Sequence, residues 1–294
     1  MGFRLHRGES AGAAFRRIGV ELIEEMGRHL DDREAEALDV HAARKASKMI
    51  RAVLQLYRAG LGHSVRRTET VRFRELARLL STARDAEVRL ATFRSIAEGE
   101  PAGQRAALRQ VDEHLAASAS KGVPRSLSPR MLARARSALG WALLRWRGFR
   151  LKGHGWKLLE KGLRDTYRSA RRGHAAFVRE LDGVTAHEWR KAVKALGYQV
   201  QLLRCIRPRK LKLLHQKLDK LGEVLGDHHD LLVLRAFLGK QPWAARGLAA
   251  MGPRIAQRQA ELCVQAEALA AEVLSESPHH FVERLGTWWD DWRG

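Results

Sequence analysis

Apolar residues recur at helical spacing along nearly the whole chain, and the strict alternation typical of strands is hard to find anywhere. The pattern is interrupted where Gly, Ser and Pro cluster, above all around 98–103 and 118–130. It therefore predicts an all-α protein. The predicted helices lie near 9–30, 34–60, 69–97, 104–146 (interrupted around 118–130), 156–180, 183–206, 209–238, 252–275 and 279–292.

The chain contains an internal repeat. Residues 40–48 read VHAARKASK, residues 186–194 read AHEWRKAVK 146 positions later, and residues 76–90 match 221–235 at an offset of 145. A unit of about 145 residues is too long for a solenoid repeat and suits a four-helix unit used twice. We therefore expect a first bundle over 1–147 and a second over 148–294. The identical polar pairs are His41/His187, Arg44/Arg190, Lys45/Lys191 and Lys48/Lys194, and the match extends to Arg58/Arg204.

The repeated motif forms a basic stripe when it is drawn as a helix. At about 100° per residue, its basic residues share one face and most of its apolar residues share the opposite one. We expect these faces to lack acidic partners at helical spacing, so their like charges repel. Two such faces at identical spacing predict a polyanion site lined from both sides. The residues are His41, Arg44, Lys45, Lys48 and Arg51 in the first copy, and His187, Arg190, Lys191, Lys194 and Tyr198 in the second.

Further basic residues are candidate extensions of this site. Arg164, Arg168 and Arg171 are spaced as an arginine-rich stripe, and Arg16 in the first predicted helix is their candidate counterpart. Arg204 belongs to a basic cluster at a helix junction, where free backbone amides would assist an anion. Each of these groups alone is equally consistent with an ordinary solvated surface.

The charge of the chain also indicates a polyanionic partner. There are 54 Lys and Arg against 33 Asp and Glu, a net charge of +21, and 41 of the 54 basic residues are Arg. The planar guanidinium group suits phosphate oxygens. A hydrophobic content of 45% is that of a folded protein, so the charge is not carried by a disordered tail.

These motifs resemble the conserved-histidine α-helical domain, the CHAD domain. The resemblance rests on the two His-x-x-Arg-Lys-x-x-Lys motifs, on Leu79-Leu80-x-x-x-Arg84-Asp85 and on the run from Leu221 to Asp230, and it covers about 5–290. It implies two four-helix bundles related by pseudo-twofold symmetry, whose basic residues line a central channel that binds inorganic polyphosphate.

The resemblance also implies the ligands. They are His41, Arg44, Lys45, Lys48 and Arg51 in the first bundle, and His187, Arg190, Lys191 and Lys194 in the second. Gly197 stands where the first copy has Arg51, so that contact is expected to be missing from the second bundle. His228 and His229 resemble the second histidine position of the family, whereas the first copy has Ala83 and Arg84 there.

Two other functional classes remain as alternatives. The His229-Asp230 dipeptide is of the kind that holds metal in helical phosphohydrolases, but the paired histidines lie among cations that would repel a metal. The net charge would also suit RNA, although no nucleic-acid-binding motif is present and we expect nucleic acid only as a competing polyanion. No catalytic or nucleotide-binding motif is found, so we predict a binding protein without cofactor or metal.

Remaining features concern location and packing. Cys205 and Cys263 match no disulfide framework, and no signal peptide or membrane span is found, so we expect a cytoplasmic protein. The resemblance to a polyphosphate-binding family implies an association with polyphosphate granules and their proteins. Trp141, Trp146 and Trp156 are expected to pack one half against the other. The Trp-rich C-terminal segment is expected to be a helix docked on the second bundle.

Overall fold

The described part of the chain is α-helical, with two short 3-10 turns and no strand. The computed structural model describes residues 2–31, 37–80, 84–98, 105–122, 128–180 and 182–294, and at 31, 37–40, 84–85, 105–106 and 121–122 it describes the backbone alone. The helices are α1 (Ala11–Asp31), α2 (Ala37–Leu56), α3 (His63–Leu79), α4 (Arg84–Ala97), α5 (Arg105–Gly122), α6 (Pro129–Gly148), α7 (Lys157–Glu180), α8 (Gly183–Leu203), α9 (Pro208–Leu238), α10 (Ala245–Val273) and α11 (Pro278–Arg293).

The predicted all-α class is confirmed, and most predicted helices lie within a few residues of the observed ones. Two differ. The helix predicted over 69–97 is two helices, α3 and α4, and α10 begins seven residues before the predicted start and includes Pro253. In α10 the apolar positions on both sides of Pro253 are buried, so packing maintains the helix across a residue that removes one backbone hydrogen bond.

The two halves of the chain use similar helix neighbours. In the first half α1 packs against α2 and α6, and α2 packs against α3. In the second half α7 packs against α8 and α11, and α8 packs against α9, so the C-terminal helix does dock on the second half. Both α6 and α11 begin with a Ser-Pro pair: Ser128 accepts a hydrogen bond from the amide of Met131, and Ser277 accepts one from that of His280.

The hairpin of α4 and α5 contacts the second half. These two helices pack against each other, α4 contacts α9 and α10, and α5 contacts α10. Buried apolar residues on α5, including Val111 and Leu115, belong to the same continuous core as those of α10. Helices of the first half of the chain therefore do not all pack within that half.

The halves also meet where α2 lies against α7 and α8. A Cβ atom placed on Gly162 of α7 would lie 2.0 Å from the backbone oxygen of Leu56, so only glycine permits this approach to α2. Gln199 of α8 is buried, and its Nε2 donates to the oxygen of Ala52 at 3.2 Å and to Oγ1 of Thr166 at 3.0 Å. This buried amide ties together α2, α7 and α8.

The aromatic segment before α7 behaves differently from its prediction. Trp146 is fully buried, but it stacks on Phe15 within the first half at 4.7 Å. Trp156 contacts Trp289 of the second half at 5.8 Å. Trp141 is 64% exposed, so the prediction that all three tryptophans pack between the halves is wrong.

Candidate functional site

The first basic stripe lies on α2, opposite a buried face that is apolar except for Ser47. Its buried side includes Ala43, Ala46, Ile50 and Val53, which join the core. This confirms the amphipathic pattern predicted from the sequence. On the other side His41, Lys45 and Lys48 are exposed, and Arg44 and Arg51 are half-buried.

The second stripe lies on α8, and its long side chains run across glycines of α9. A Cβ atom on Gly222 would lie 2.8 Å from Cδ and Cε of Lys194, and one on Gly226 would lie 3.1 Å from Nε and Nη2 of Arg190. Arg190 Nε also donates to the oxygen of Gly222 at 3.3 Å. The two glycines, four residues apart, provide a smooth helix surface on which the cationic chains are positioned.

The stripes have acidic neighbours, contrary to the sequence prediction. Lys191 forms an ion pair with Glu188 at 2.7 Å on α8, and Lys194 forms one with Asp219 of α9 at 2.8 Å. Glu188 lies three residues before Lys191, which is a helical spacing at which no acidic residue was expected. Three of these four side chains, all except that of Lys194, are more than half exposed, so the ion pairs hold the lysines in place only weakly.

The pKa of Asp219 depends on lysines from both halves of the chain. Burial alone would raise the pKa of Asp219, but the hydrogen bond and charge of Lys194, together with the more distant charge of Lys45, lower it below its ordinary value. Lys45 belongs to α2 and Lys194 to α8. Asp219 therefore stays ionised between the two stripes.

Arg51 and Tyr198 form a second connection between the stripes. Burial, then the negative charge of Asp219, raises the pKa of Tyr198, and the positive charge of Arg51 opposes that shift. Burial, then the neighbouring charge of Arg74, lowers the pKa of Arg51. Among the described groups, Nε of Arg51 is buried without a hydrogen-bond partner. A half-buried guanidinium with an unused donor is suited to receive an anion.

Two histidines end the second stripe. The rings of His187 and His229 lie 4.8 Å apart between α8 and α9. Burial, followed by the charges of His229 and Lys191, lowers the pKa of His187. Burial also lowers the pKa of His229, with Asp230 opposing and Arg190 reinforcing the shift. Both imidazoles are therefore mainly neutral at pH 7 in the unliganded protein.

Several predicted site residues are buried, already paired with another group of the protein, or exposed. His228 is 4% exposed and contacts the edge of Phe177, so it is part of the core. Arg58 and Arg168 share Asp165, Arg164 pairs with Glu160, and Arg16 donates to the oxygen of Phe149. Arg171 is exposed. Arg204 is also exposed, but its charge reinforces the effect of burial in lowering the pKa of His215 on α9. The side chain of Arg84 lies outside the described residues.

Sequence reasoning missed three members of the site. Arg74 and Asp219 occupy equivalent positions, since they are 145 residues apart, the offset of the second match. His215 lies four residues before Asp219, and its Nδ1 would be 4.0 Å from a Cβ atom on Gly197. Gly197 is the residue of the second copy that corresponds to Arg51. The imidazole of His215 therefore lies beside α8 at this position.

The described residues provide neither a metal site nor a membrane span. No group of three or more His, Cys, Asp and Glu side chains there is arranged to hold a metal ion. No described helix combines the length and apolar character of a membrane span.

Comparison with known proteins shows which family the chain matches. The family model of the CHAD domain matches residues 21–239, well over half of the chain. The structure of PptA from Streptomyces chartreusis superposes with a TM-score of 0.66 at 13% identity, over 91% of this chain and 100% of that one. The CHAD domain from the plant Ricinus communis superposes with a TM-score of 0.53 at 18% identity, over 95% and 90%. These two matches establish a shared fold alone, and no curated protein matches the chain by sequence.

Proposed function

Because the chain belongs to the CHAD domain family, we propose that it binds inorganic polyphosphate in a basic channel between its halves and does so without catalysis. The observation that supports this most is the contact between α2 and α8, each of which carries the same His-x-x-Arg-Lys-x-x-Lys face. Phosphate chains carry about one negative charge per unit. Two adjoining rows of Arg and Lys match such a repeating charge.

The proposed ligands follow the two stripes and their junction. Lys45 and Arg51 on α2 share an electrostatic environment with Lys194 and Tyr198 on α8, which favours one continuous site over two separate ones. The matching neighbours of α1 with α6 and of α7 with α11 support a pseudo-twofold relation of the halves. His187 and His229 extend the site at one end, whereas His228 is buried and does not contribute.

The proposed ligand also suggests a cellular location and partners for the protein. We place the protein in the cytoplasm, in association with polyphosphate granules and their proteins, with nucleic acid acting only as a competing polyanion. A metal-dependent phosphohydrolase remains the enzymatic alternative, and phosphate release from polyphosphate in the presence of divalent cations would identify it.

Binding of long-chain polyphosphate, measured by calorimetry at several salt concentrations, tests the proposal. Neutralising about six phosphates on a flexible chain releases counterions, so affinity should fall about 100- to 1,000-fold between about 0.05 and 0.2 M salt. A labelled RNA should be displaced by polyphosphate at a lower concentration than by unlabelled RNA. Preference for RNA, or affinity that hardly responds to salt, would contradict the proposal.

Binding should also strengthen on acidification. A histidine whose folded pKa lies below its unfolded value of about 6.5 binds fewer protons when folded, so the unliganded protein loses stability as the pH falls through and below about 6.5. A bound polyanion favours the protonated ring and reverses this effect. The increase in melting temperature caused by polyphosphate should therefore be larger at pH 6 than at pH 8, by thermal scanning. In the double variant His187→Gln/His229→Gln this pH dependence should flatten, and an unchanged pH dependence would exclude these histidines from the site.

A further inference from the structure

A groove between α3 and α6 shares no residue with the basic stripes. It has a volume of about 930 Å³, an apolar floor and a charged rim. The floor residues are Phe73, Leu76, Leu79, Ala138, Trp141 and Ala142. The rim residues are Arg72, Arg78, Arg134, Arg145 and Glu75.

Two large apolar side chains of α6, of which Trp141 lines this groove, are unusually exposed. Trp141 is 64% exposed, and Leu144, three residues later on the same helix, is 62% exposed. Large apolar side chains that adjoin a groove, rather than being scattered singly, are typical of interaction surfaces. Tryptophan is also the residue most enriched among those that dominate binding energy at protein interfaces.

The arginines of the rim are partly prearranged. Glu69 is buried at 1% exposure and accepts from Arg72 Nη1 at 2.6 Å and from Arg145 Nε at 2.7 Å. The indole of Trp146 donates to the same carboxylate at 3.3 Å. Two guanidinium groups are thereby held at the wall of the groove.

The groove is therefore positively charged as well as apolar. Arg78 and Arg134 are exposed on the rim beside the two anchored arginines. Four arginines against Glu69 and Glu75 leave an excess of two positive charges.

We propose that this groove binds an acidic amphipathic helix of a partner protein. Such a helix places apolar residues on the floor and carboxylates at the arginine rim, which is the helix-in-groove mode of recognition. Polyphosphate has no apolar group for the floor. A second copy of this chain would bring another net charge of +21 to an arginine-rimmed surface, which opposes self-association.

The probe is a fluorescein-labelled peptide of about four helical turns, with Leu and Phe at i, i+3, i+4 and i+7 and Glu at most other positions. Fluorescence anisotropy with the full chain should give saturable binding. We expect Trp141→Ser/Leu144→Ser to weaken it at least tenfold and Arg78→Glu/Arg134→Glu to do the same. The control variant Val184→Ser/Leu213→Ser, which changes two exposed apolar residues elsewhere, should bind as the unmodified chain does.

Three outcomes would overturn this assignment. If an all-Glu peptide bound equally well, charge alone would explain the binding of the peptide. Dimerisation that is lost in Trp141→Ser, seen by sedimentation velocity, would identify a second copy as the occupant. Displacement of the peptide by single-stranded RNA, with RNA binding that also depends on Trp141, would identify a nucleic-acid site. Polyphosphate affinity should be unchanged in Trp141→Ser/Leu144→Ser, so this test is independent of the proposed channel.

Discussion

Replacing Lys48 and Lys194 together by glutamate is expected to weaken polyphosphate binding about 100-fold, equivalent to about 2.7 kcal/mol. The two lysines are equivalent positions of the repeat, one on α2 and one on α8. The change removes a cation from each half and puts a carboxylate in its place, so each half repels the phosphate chain. Calorimetric titration with long-chain polyphosphate at fixed salt measures the loss.

A variant with the same change in net charge separates the site from the overall charge. Lys152→Glu/Lys157→Glu alters two exposed lysines in the connection before α7 and at its start, and it should weaken binding less than threefold. Equal losses in the two double variants would leave only the net charge of the protein and would contradict a specific site. Circular dichroism of each variant checks that the helices remain folded.

The opposite change at the same place gives an independent check. Asp219 holds Lys194 at 2.8 Å and lies between the stripes. Asp219→Asn removes an anion that both occupies this lysine and repels phosphate, so affinity should rise about three- to tenfold. Weaker binding by this variant would mean that the carboxylate is needed to position Lys194.

The two stripes were predictable because their signal is local. Helical periodicity places His41, Lys45 and Lys48 on one face whatever the helix packs against, and the repeat at His187 shows that the pattern is not accidental. The glycines at 222 and 226 were recognised only as part of a motif. Their physical role, to let Arg190 and Lys194 lie across α9, depends on a neighbouring helix and is invisible in sequence.

The predictions that were wrong or incomplete depend on tertiary contacts. Nothing local distinguishes the buried Trp146, which stacks on Phe15, from the exposed Trp141 five residues before it. Glu188 is not part of the repeated motif, because the first copy has Ala42 at the equivalent position, so the motif gives no sign of an acidic residue on this face. Likewise, the hairpin of α4 and α5 packs on α9 and α10, a long-range choice that helix periodicity does not determine.

Replacing Gly162 by alanine is expected to destabilise the protein by about 3 kcal/mol, one of the largest effects of any single methyl group in this fold. The added Cβ atom would lie 2.0 Å from the oxygen of Leu56 and 2.4 Å from that of Gln55. Both contacts are with backbone atoms, which cannot move away by a change of rotamer as a side chain can. Helix α7 must therefore move away from α2. Urea unfolding followed by circular dichroism measures the change in the free energy of unfolding.

Gly140→Ala is the matched control. Gly140 also lies within a helix, but a Cβ atom there would have no heavy atom within 4 Å. Alanine at this exposed helical position should leave stability unchanged or raise it by about 0.5–1 kcal/mol, because it reduces the freedom of the unfolded chain. If both variants lost similar stability, the close approach of α7 to α2 would not be the cause.

The same substitution also tests whether packing between the halves positions the binding site. Gln199 bonds to Ala52 of α2 and to Thr166 of α7, four residues after Gly162, so a displaced α7 pulls on the contact that sets α2 beside α8. In the fraction of Gly162→Ala protein that remains folded, polyphosphate should bind more weakly although no charge has changed. Retained affinity in that folded fraction would show that the stripes keep their relation without this contact, and that each half binds phosphate on its own.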